Sequence, residues 1–152
     1  MADSATPQFR RAVVALSGGH TDRPIVALAA RLAKAGQAEL VGIHVVEIDW
    51  TLPLDADIAS RSEEVQRVLD TAESIAEDYK VTLEPVLLQA RDVAAAIVDE
   101  TTERAADLLV VGLPYRKRFG GEFAIGKTVP YILQNAPCTV WVVRDPITEE
   151  ST

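Results

Sequence analysis

The residues best suited to chemistry lie in one loop between Gly112 and Thr128. The loop carries four basic side chains, which are Arg116, Lys117, Arg118 and Lys127. They stand out because the chain as a whole has a net charge of −8. We also predict that a helix begins within Gly126–Val129, where unpaired backbone N–H groups and the helix dipole favour an anion. The pattern therefore predicts a site for a phosphate-bearing ligand, the alternative being a solvated basic loop that pairs with acids of a partner subunit.

The same loop contains a second phosphate-binding pattern. Residues Gly121 to Thr128 read GEFAIGKT and match G-x-x-x-x-G-K-[ST], the P-loop of nucleotide hydrolases. A P-loop follows its strand directly, and a later strand supplies an acid for magnesium. Here the pattern begins well past the apolar run that ends at Val111, and only one further strand is expected. We therefore predict that the chain is not an enzyme and has no catalytic residues, although Lys127 remains a candidate phosphate contact.

Other residue types that often act in catalysis or metal binding are sparse. His20 and His44 are far apart and have no cysteine or acid at a metal-ligand spacing, so no metal site is predicted. His44 lies in an expected strand and is interpreted as a hydrogen-bonded histidine of the core or crevice, whereas His20 either contacts a ligand or is exposed. Cys138 is interpreted as a buried, inert thiol. No redox cofactor is predicted.

Composition limits the class of protein. The chain has 152 residues, of which 48% are hydrophobic and 25% charged, and these values are typical of one globular domain. The negative charge and a pI of about 4.7 argue against binding to nucleic acid or to an anionic membrane surface. No signal peptide is visible, no apolar run is long enough for membrane insertion, and the single cysteine cannot form an internal disulfide. These features predict a cytoplasmic protein.

The elements that must position the loop follow from the hydrophobic pattern. Five short apolar runs are predicted as strands: Arg11–Leu16, Glu39–Val46, Val81–Leu88, Asp107–Val111 and Thr139–Val143. Four helical patterns separate them. The first is capped by Thr21-Asp22 and ended by Gly36, and the second runs from Ala59 to Tyr79. The third is capped by Asp92 and ends near Ala105, and the fourth covers Lys127–Asn135. Pro85 places the third strand at an edge of the sheet. The polar residues from Asp145 onward are expected to be loose.

Strands that alternate with helices predict a doubly wound α/β sandwich with a parallel sheet. Ligands of such sheets bind beyond the carboxyl ends of the strands, where the winding reverses. The turn Ser17-Gly18-Gly19 after the first strand and the basic loop after the fourth strand therefore point to one crevice. The stretch Glu47–Ile58 is long for a simple connection and is interpreted as a lid or an interface element, with an apolar plug of Trp50, Leu52 and Leu54.

The order of these segments resembles the universal stress protein family over about residues 9 to 145. The resemblance rests on AVVALSGG, GIHVV, ADLLVVG, GKTV and NAPCTVWVVR, in that order. It implies a five-stranded parallel sheet of order 3-2-1-4-5 with four helices on two faces, forming a domain of residues 9–145 between flexible tails at 1–8 and 146–152. It also implies a homodimer joined through Thr139–Val143, and a site for an adenine nucleotide such as ATP, ADP or AMP, with or without magnesium.

The resemblance carries over to individual residues of the predicted nucleotide site. Ala15 and Val45 fall where the family contacts adenine, Val111 and Gly112 match the start of its loop, and Gly126 matches the last glycine. The candidate nucleotide-binding residues are Ala15, Leu16, Ser17, Val45, Val111, Gly112, Arg116, Arg118, Gly126, Lys127, Thr128 and Val129.

Three positions depart from the family's pattern. Ser17 stands where the family has an aspartate that holds the ribose, so that one hydroxyl replaces a two-oxygen acceptor. Tyr115 occupies the position of the second glycine. Lys127 replaces a serine or threonine, and Thr128 supplies a hydroxyl one place later. The departures leave open which nucleotide binds, and a dinucleotide whose phosphates need arginines is the alternative ligand.

The last expected strand bears on the oligomeric state. Val140, Trp141, Val142 and Val143 form an apolar edge that would promote aggregation if it were bare. Pairing with a second copy of the chain would cover it, which predicts a homodimer. The alternative is that Trp141 is buried under the last helix of the same chain.

Two classes of function follow from these residues. In the first, the chain is a regulatory stress-response protein that binds a nucleotide without catalytic turnover. In the second, it is a regulatory module associated with a membrane transporter, or an interaction domain that has lost nucleotide binding.

Overall fold

Strands and helices alternate along the part of the chain that the structure describes. The computed structural model describes residues 9–53, 62–117, 121 and 123–148. The elements are β1 (Arg11–Leu16), α1 (Asp22–Gly36), β2 (Glu39–Glu47), α2 (Glu63–Asp78), β3 (Leu83–Ala90), α3 (Val93–Glu103), β4 (Leu108–Leu113), α4 (Thr128–Asn135) and β5 (Thr139–Arg144). The strands form one sheet of order β3-β2-β1-β4-β5, in which every neighbouring pair is parallel. The predicted doubly wound sheet is confirmed.

The two central strands are apolar on both faces because helices cover both sides of the sheet. Val14 of β1 and Val110 of β4 belong to the core under α1 and α2. Their neighbours Val13 and Leu109 belong to the core under α3 and α4. All four side chains are fully buried, and burial of each contributes about 1.5–3 kcal/mol to folding. The carboxyl ends of β1 and β4 are therefore held rigidly side by side.

Side-chain caps fix the start of two helices. The Ser62 hydroxyl accepts a hydrogen bond from the Val65 N–H at the start of α2, and the Asp92 carboxylate accepts one from the Ala95 N–H at the start of α3. The predicted cap at Asp92 is confirmed. The predicted α1 cap is wrong, since the Thr21 side chain makes no capping hydrogen bond. The expected first turn of α2 at residues 59–61 lies outside the described residues.

The third strand begins two residues later than its apolar pattern predicts. The turn after α2 extends further than expected, because the Val81 N–H donates back to the Ala76 carbonyl and Lys80 has a left-handed backbone with φ of 63°. The strand therefore starts at Leu83 and continues to Ala90. It lies at one edge of the sheet, as Pro85 predicts.

The other edge of the sheet is β5, which pairs with β4 alone among the described strands. Its Trp141 packs edge-to-face on Phe9, with ring centroids 5.7 Å apart, and contributes to the core under α1 and α2. The interpretation that Trp141 lies under the last helix is wrong, because α4 covers the opposite face. The homodimer through Thr139–Val143 remains a prediction.

Candidate functional site

A cavity of about 260 Å³ opens at the carboxyl ends of β1 and β4. Most of the sequence-predicted site residues line it together: Ala15, Leu16, Ser17, Val111, Gly112, Gly126, Lys127, Thr128 and Val129. The other lining residues are apolar and come from α3, β4, the loop that follows β4 and α4: Val93, Ile97, Leu113, Pro114, Ile125 and Ile132. The cavity is therefore an apolar slot with three polar side chains, those of Ser17, Lys127 and Thr128.

Close approach of the chain to itself shapes the back of the cavity. A methyl group on Gly112 would lie 2.7 Å from both Cβ and Oγ1 of Thr21, a distance that carbon atoms in proteins do not adopt. Thr21 is 3% exposed and immediately precedes α1. Glycine is thus required at position 112 for steric reasons, since it lets the end of β4 pass against the start of α1.

The polar end of the cavity is the start of α4. Gly126 has a left-handed backbone with φ of 76°, which turns the chain into the helix. Lys127 occupies the N-cap position without a capping side-chain bond. Helix geometry leaves the N–H groups of Thr128 and Val129 without intrahelical acceptors. Lys127, Thr128 and Val129 all line this end of the cavity, and free N–H groups at a helix start, with a lysine and a threonine beside them, suit an anionic oxygen.

The turn between β1 and α1 is organised by Asp22, a residue that was interpreted as a helix cap. Its Oδ1 accepts hydrogen bonds from the Ser17 N–H at 2.8 Å and the Ser17 hydroxyl at 3.2 Å. Its Oδ2 accepts a bond from the Gly18 N–H at 2.8 Å. The Ser17 hydroxyl in turn accepts a bond from the Gly19 N–H at 3.1 Å. The carboxylate therefore holds the turn that carries Ser17.

Tyr115, which takes the place of a glycine in the resembled family's pattern, is part of a small folded hairpin. Its ring stacks on Phe123 with centroids 5.0 Å apart and an interplanar angle of 16°. The Arg144 guanidinium lies 5.3 Å from the centroid of the same ring. The Ala124 N–H donates to the Arg116 carbonyl at 2.8 Å, which closes the hairpin. The stack and this bond thus hold residues 115 and 116 against residues 123 and 124.

Asp145 ties this hairpin to the first loop. Its Oδ2 accepts a hydrogen bond from the Tyr115 N–H at 3.2 Å and lies 2.6 Å from Nε2 of His20. The hydrogen bond to His20 is the main cause that lowers the pKa of the Asp145 carboxyl below its usual value, with the nearby charge of Arg116 as a minor cause. The expectation that the chain is loose from Asp145 onward is wrong at this residue, because its side chain joins two loops.

Two of the described site residues that the sequence predicts, Val45 and Arg116, do not line the cavity. Val45 is 8% exposed and packs in the core under α3 and α4. Arg116 is exposed and lies beside Asp145. Arg118 is outside the described residues. Of the described basic residues in the loop, Lys127 is the one on the cavity wall.

His44 is hydrogen-bonded, as the sequence predicts, because its Nδ1 atom donates to the Leu16 carbonyl at 2.9 Å. Cys138 is less buried than predicted, since it is only half-buried against the core under α3 and α4. Burial raises the pKa of its thiol, which disfavours the reactive thiolate. Within the described residues no group of three or more His, Cys, Asp or Glu side chains could hold a metal ion.

A second cavity of about 420 Å³ adjoins the first and shares Lys127, Thr128 and Val93 with it. Its rim carries Trp50, whose ring lies 4.7 Å from the Arg91 guanidinium. Arg91 is itself fixed by hydrogen bonds to the carbonyls of Asp49 and Leu52. Trp50 is 80% exposed, so the interpretation of an apolar plug is wrong for this residue, and Leu54 lies outside the described residues.

Comparison with known protein families gives a match over most of the chain. The model of the universal stress protein family matches residues 8–144. A sensor protein KdpD of Mycobacterium tuberculosis (strain CDC 1551 / Oshkosh) is 29% identical over 136 residues, which cover 90% of this chain. The chain spans 14% of the length of that curated relative. None of the described helices is long and apolar enough to cross a membrane.

Three solved structures show the same fold. The universal stress protein UspA from Lactobacillus plantarum superposes with a TM-score of 0.74 at 19% identity, covering 91% of this chain and all of that one. A universal stress protein from Archaeoglobus fulgidus in complex with dAMP superposes with a TM-score of 0.69 at 20% identity, covering 90% of this chain and 99% of that one. A universal stress protein in complex with cAMP superposes with a TM-score of 0.68 at 20% identity, covering 90% of this chain and 98% of that one.

Proposed function

Because the chain belongs to the universal stress protein family, we propose that it is a regulatory protein that binds an adenine nucleotide and does not turn it over. The observation that carries this proposal is the cavity at the carboxyl ends of β1 and β4, with its apolar walls and the anion-binding start of α4 at one end. Two structural relatives, solved with cAMP and with dAMP, support a nucleotide of this class.

The cavity divides into regions that suit the parts of a nucleotide. Ala15, Val111 and Ile132 offer apolar surface for a base, whereas Lys127 and Thr128 lie where the phosphate would bind. The volume of about 260 Å³ lies just below the ~300–1,000 Å³ typical of small-molecule sites. A mononucleotide therefore fits this cavity better than a larger ligand.

The composition of the cavity wall supports binding without turnover. None of the described residues that line it is an aspartate, glutamate or histidine, so the wall offers no general base for an attacking water. The residues present also do not match a magnesium site, which is built on carboxylates in most proteins. Phosphate release that disappears in Lys127→Ala would contradict this part of the proposal.

Calorimetry with ATP, ADP and AMP tests nucleotide binding directly. We expect Lys127→Ala to weaken binding about tenfold or more, since a hydrogen bond to a charged group contributes about 1.5–3 kcal/mol. Arg116→Ala should have a smaller effect, because Arg116 lies off the cavity wall. Lys34→Ala, which removes an exposed lysine of α1, is the matched control and should bind like the wild type. The proposal fails if no nucleotide binds below millimolar concentration.

A second candidate function is regulation of a membrane transport system. It is favoured by the similarity to a segment of the sensor protein KdpD. In this case the chain acts on a membrane protein from the cytoplasm, and nucleotide binding or its loss changes that contact. Co-purification with a transporter encoded beside this chain, and its dependence on added nucleotide, would test the idea. Failure to co-purify with and without nucleotide would count against it.

Homodimerisation through β5 completes the proposal. The strand is an edge of the sheet, and edge strands with apolar residues are commonly covered by another chain. Two copies joined there would form one continuous sheet and would place their nucleotide cavities in a single assembly.

A further inference from the structure

The hydroxyl of Ser17 is largely engaged within its own turn. A serine hydroxyl has one hydrogen to donate and two lone pairs to accept. The hydrogen goes to Oδ1 of Asp22, and one lone pair receives the Gly19 N–H. One acceptor position is left for a ligand.

The carboxylate of Asp22 does not supply the second hydrogen-bond acceptor that Ser17 lacks. Asp22 accepts three hydrogen bonds from Ser17 and Gly18, which engage most of its lone pairs. It also lines a different cavity, on the α2 side of the turn, and is absent from the wall of the cavity that Ser17 lines. The described wall of the cavity that Ser17 lines therefore carries no carboxylate.

These contacts bear on how the cavity would hold the ribose of a nucleotide. This inference rests on the proposed function. With the phosphate at Lys127 and Thr128, Ser17 is the one polar side chain left on the described wall for the ribose hydroxyls. A single acceptor can hold one hydroxyl and cannot hold two at once. A site rejects a ligand that lacks a hydroxyl strongly only when a polar group of the site is left unpaired by its loss.

We propose that Ser17 makes this cavity indifferent to the 2′-hydroxyl, so that its ligands are adenine nucleotides with or without a free 2′,3′-diol. Ribonucleotide and deoxyribonucleotide then bind with affinities that differ less than about fivefold, because the remaining acceptor of Ser17 pairs with the 3′-hydroxyl in either case. Ser17 thereby determines specificity, because its single free acceptor cannot hold both ribose hydroxyls at once.

The test compares AMP and dAMP by calorimetry on the wild type and four variants. Ser17→Ala should weaken both ligands equally. Ser17→Asp supplies two free carboxylate oxygens and should raise the preference for AMP to about tenfold or more, since charge-assisted hydrogen bonds are the stronger kind. Ser17→Asn, of similar size but uncharged, is its matched control and should stay below fivefold. Ser17→Asp is also made with Asp22→Asn, which removes repulsion between adjacent carboxylates.

The outcomes separate the inference from the function on which it rests. A wild-type preference for AMP above fivefold would overturn the inference and leave nucleotide binding intact. An unchanged ratio in a folded Ser17→Asp variant would overturn it as well. Binding of neither nucleotide to the wild type would reject the proposed function and this inference with it. Should Ser17→Asp not fold, as judged by circular dichroism, the wild type and Ser17→Ala decide the question.

Discussion

The Nε2 atom of His20 lies 2.6 Å from Oδ2 of Asp145, and 125 residues of chain separate the two. The contact joins the turn after β1 to the residue that follows β5. Because Asp145 also accepts a hydrogen bond from the Tyr115 N–H, one carboxylate links both loops that border the candidate site. The geometry of the cavity mouth therefore depends on two residues that do not line it.

Removal of the Asp145 charge should lower stability in a pH-dependent way. The pKa of this carboxyl is depressed in the folded protein, chiefly by the hydrogen bond to His20. A carboxyl with a depressed pKa stabilises the folded state above its unfolded-state pKa, and this contribution is lost as the pH falls through the folded-state value. Asp145→Asn should thus reduce the free energy of unfolding at about pH 6 by no more than about 1 kcal/mol, since His20 is 68% exposed.

The difference in free energy of unfolding between Asp145→Asn and the wild type should become smaller when the pH falls below 3.8, the usual carboxyl pKa. Urea unfolding at several pH values measures it. Asp99→Asn, at an exposed aspartate of α3, is the matched control and should follow the wild type. A deficit of Asp145→Asn that is the same at about pH 6 and about pH 3 would contradict the assigned cause.

Gly112→Ala should destabilise the fold by about 1–3 kcal/mol, the usual effect of overpacking. The added methyl group would lie 2.7 Å from the Cβ of Thr21, so either the end of β4 or the start of α1 must move. Gly19→Ala is the control, since its methyl group would meet only the Ser17 hydroxyl, at 3.3 Å. Thermal unfolding compares them. Equal midpoints for the two variants would show that the contact is not as tight as described.

Tyr115→Ala should loosen the hairpin while leaving the sheet intact. It removes the stack on Phe123 and the contact with the Arg144 guanidinium. Hydrogen exchange should then become faster at the Ala124 N–H, which is bonded to the Arg116 carbonyl. Tyr79→Ala, at a half-exposed tyrosine beyond the end of α2, is the matched control. Unchanged exchange at Ala124 would mean that backbone bonds alone hold the loop.

The fold and the cavity follow from patterns that the sequence carries locally. Val13 and Leu109 lie in continuous apolar runs, and such runs predict strands buried on both faces. Parallel topology then brings the carboxyl ends of those strands together, which is why the turn at Ser17 and the loop that begins at Gly112 could be assigned to one crevice. The individual contacts at Ala15, Val111 and Gly126 came from the family resemblance. Chain order and residue type were sufficient for this part of the structure.

The polar contacts could not be predicted, because their partners are set by tertiary structure. Asp22 is the first residue of α1 and has the residue type of a cap, yet its carboxylate bonds to N–H groups of the turn before the helix. Asp145 finds Tyr115, 30 residues away, and no periodic pattern encodes such a pairing. Trp50 is apolar by type, yet it is exposed and its ring contacts the Arg91 guanidinium.

Introduction of a charge into β5 should convert a dimer into a monomer. The strand is an edge of the sheet, and Val142 within it is 36% exposed. We expect the wild type at roughly tens of micromolar to have twice the chain mass of 16.4 kDa by light scattering, because a second copy would cover this edge. Val142→Lys should reduce the mass to that of one chain, since a lysine on an edge strand opposes pairing.

Leu52→Lys is the matched control for this experiment. Leu52 is 39% exposed, lies beyond the end of β2 and is remote from the β5 edge. Its variant should keep the mass of the wild type, and circular dichroism should show both variants to be folded. A wild type that is monomeric at these concentrations would reject the dimer. In a twofold dimer both chains present the same edge strand, so Val142→Lys would put a lysine on each side of the interface. A dimer that survives this substitution would therefore have its interface on another surface.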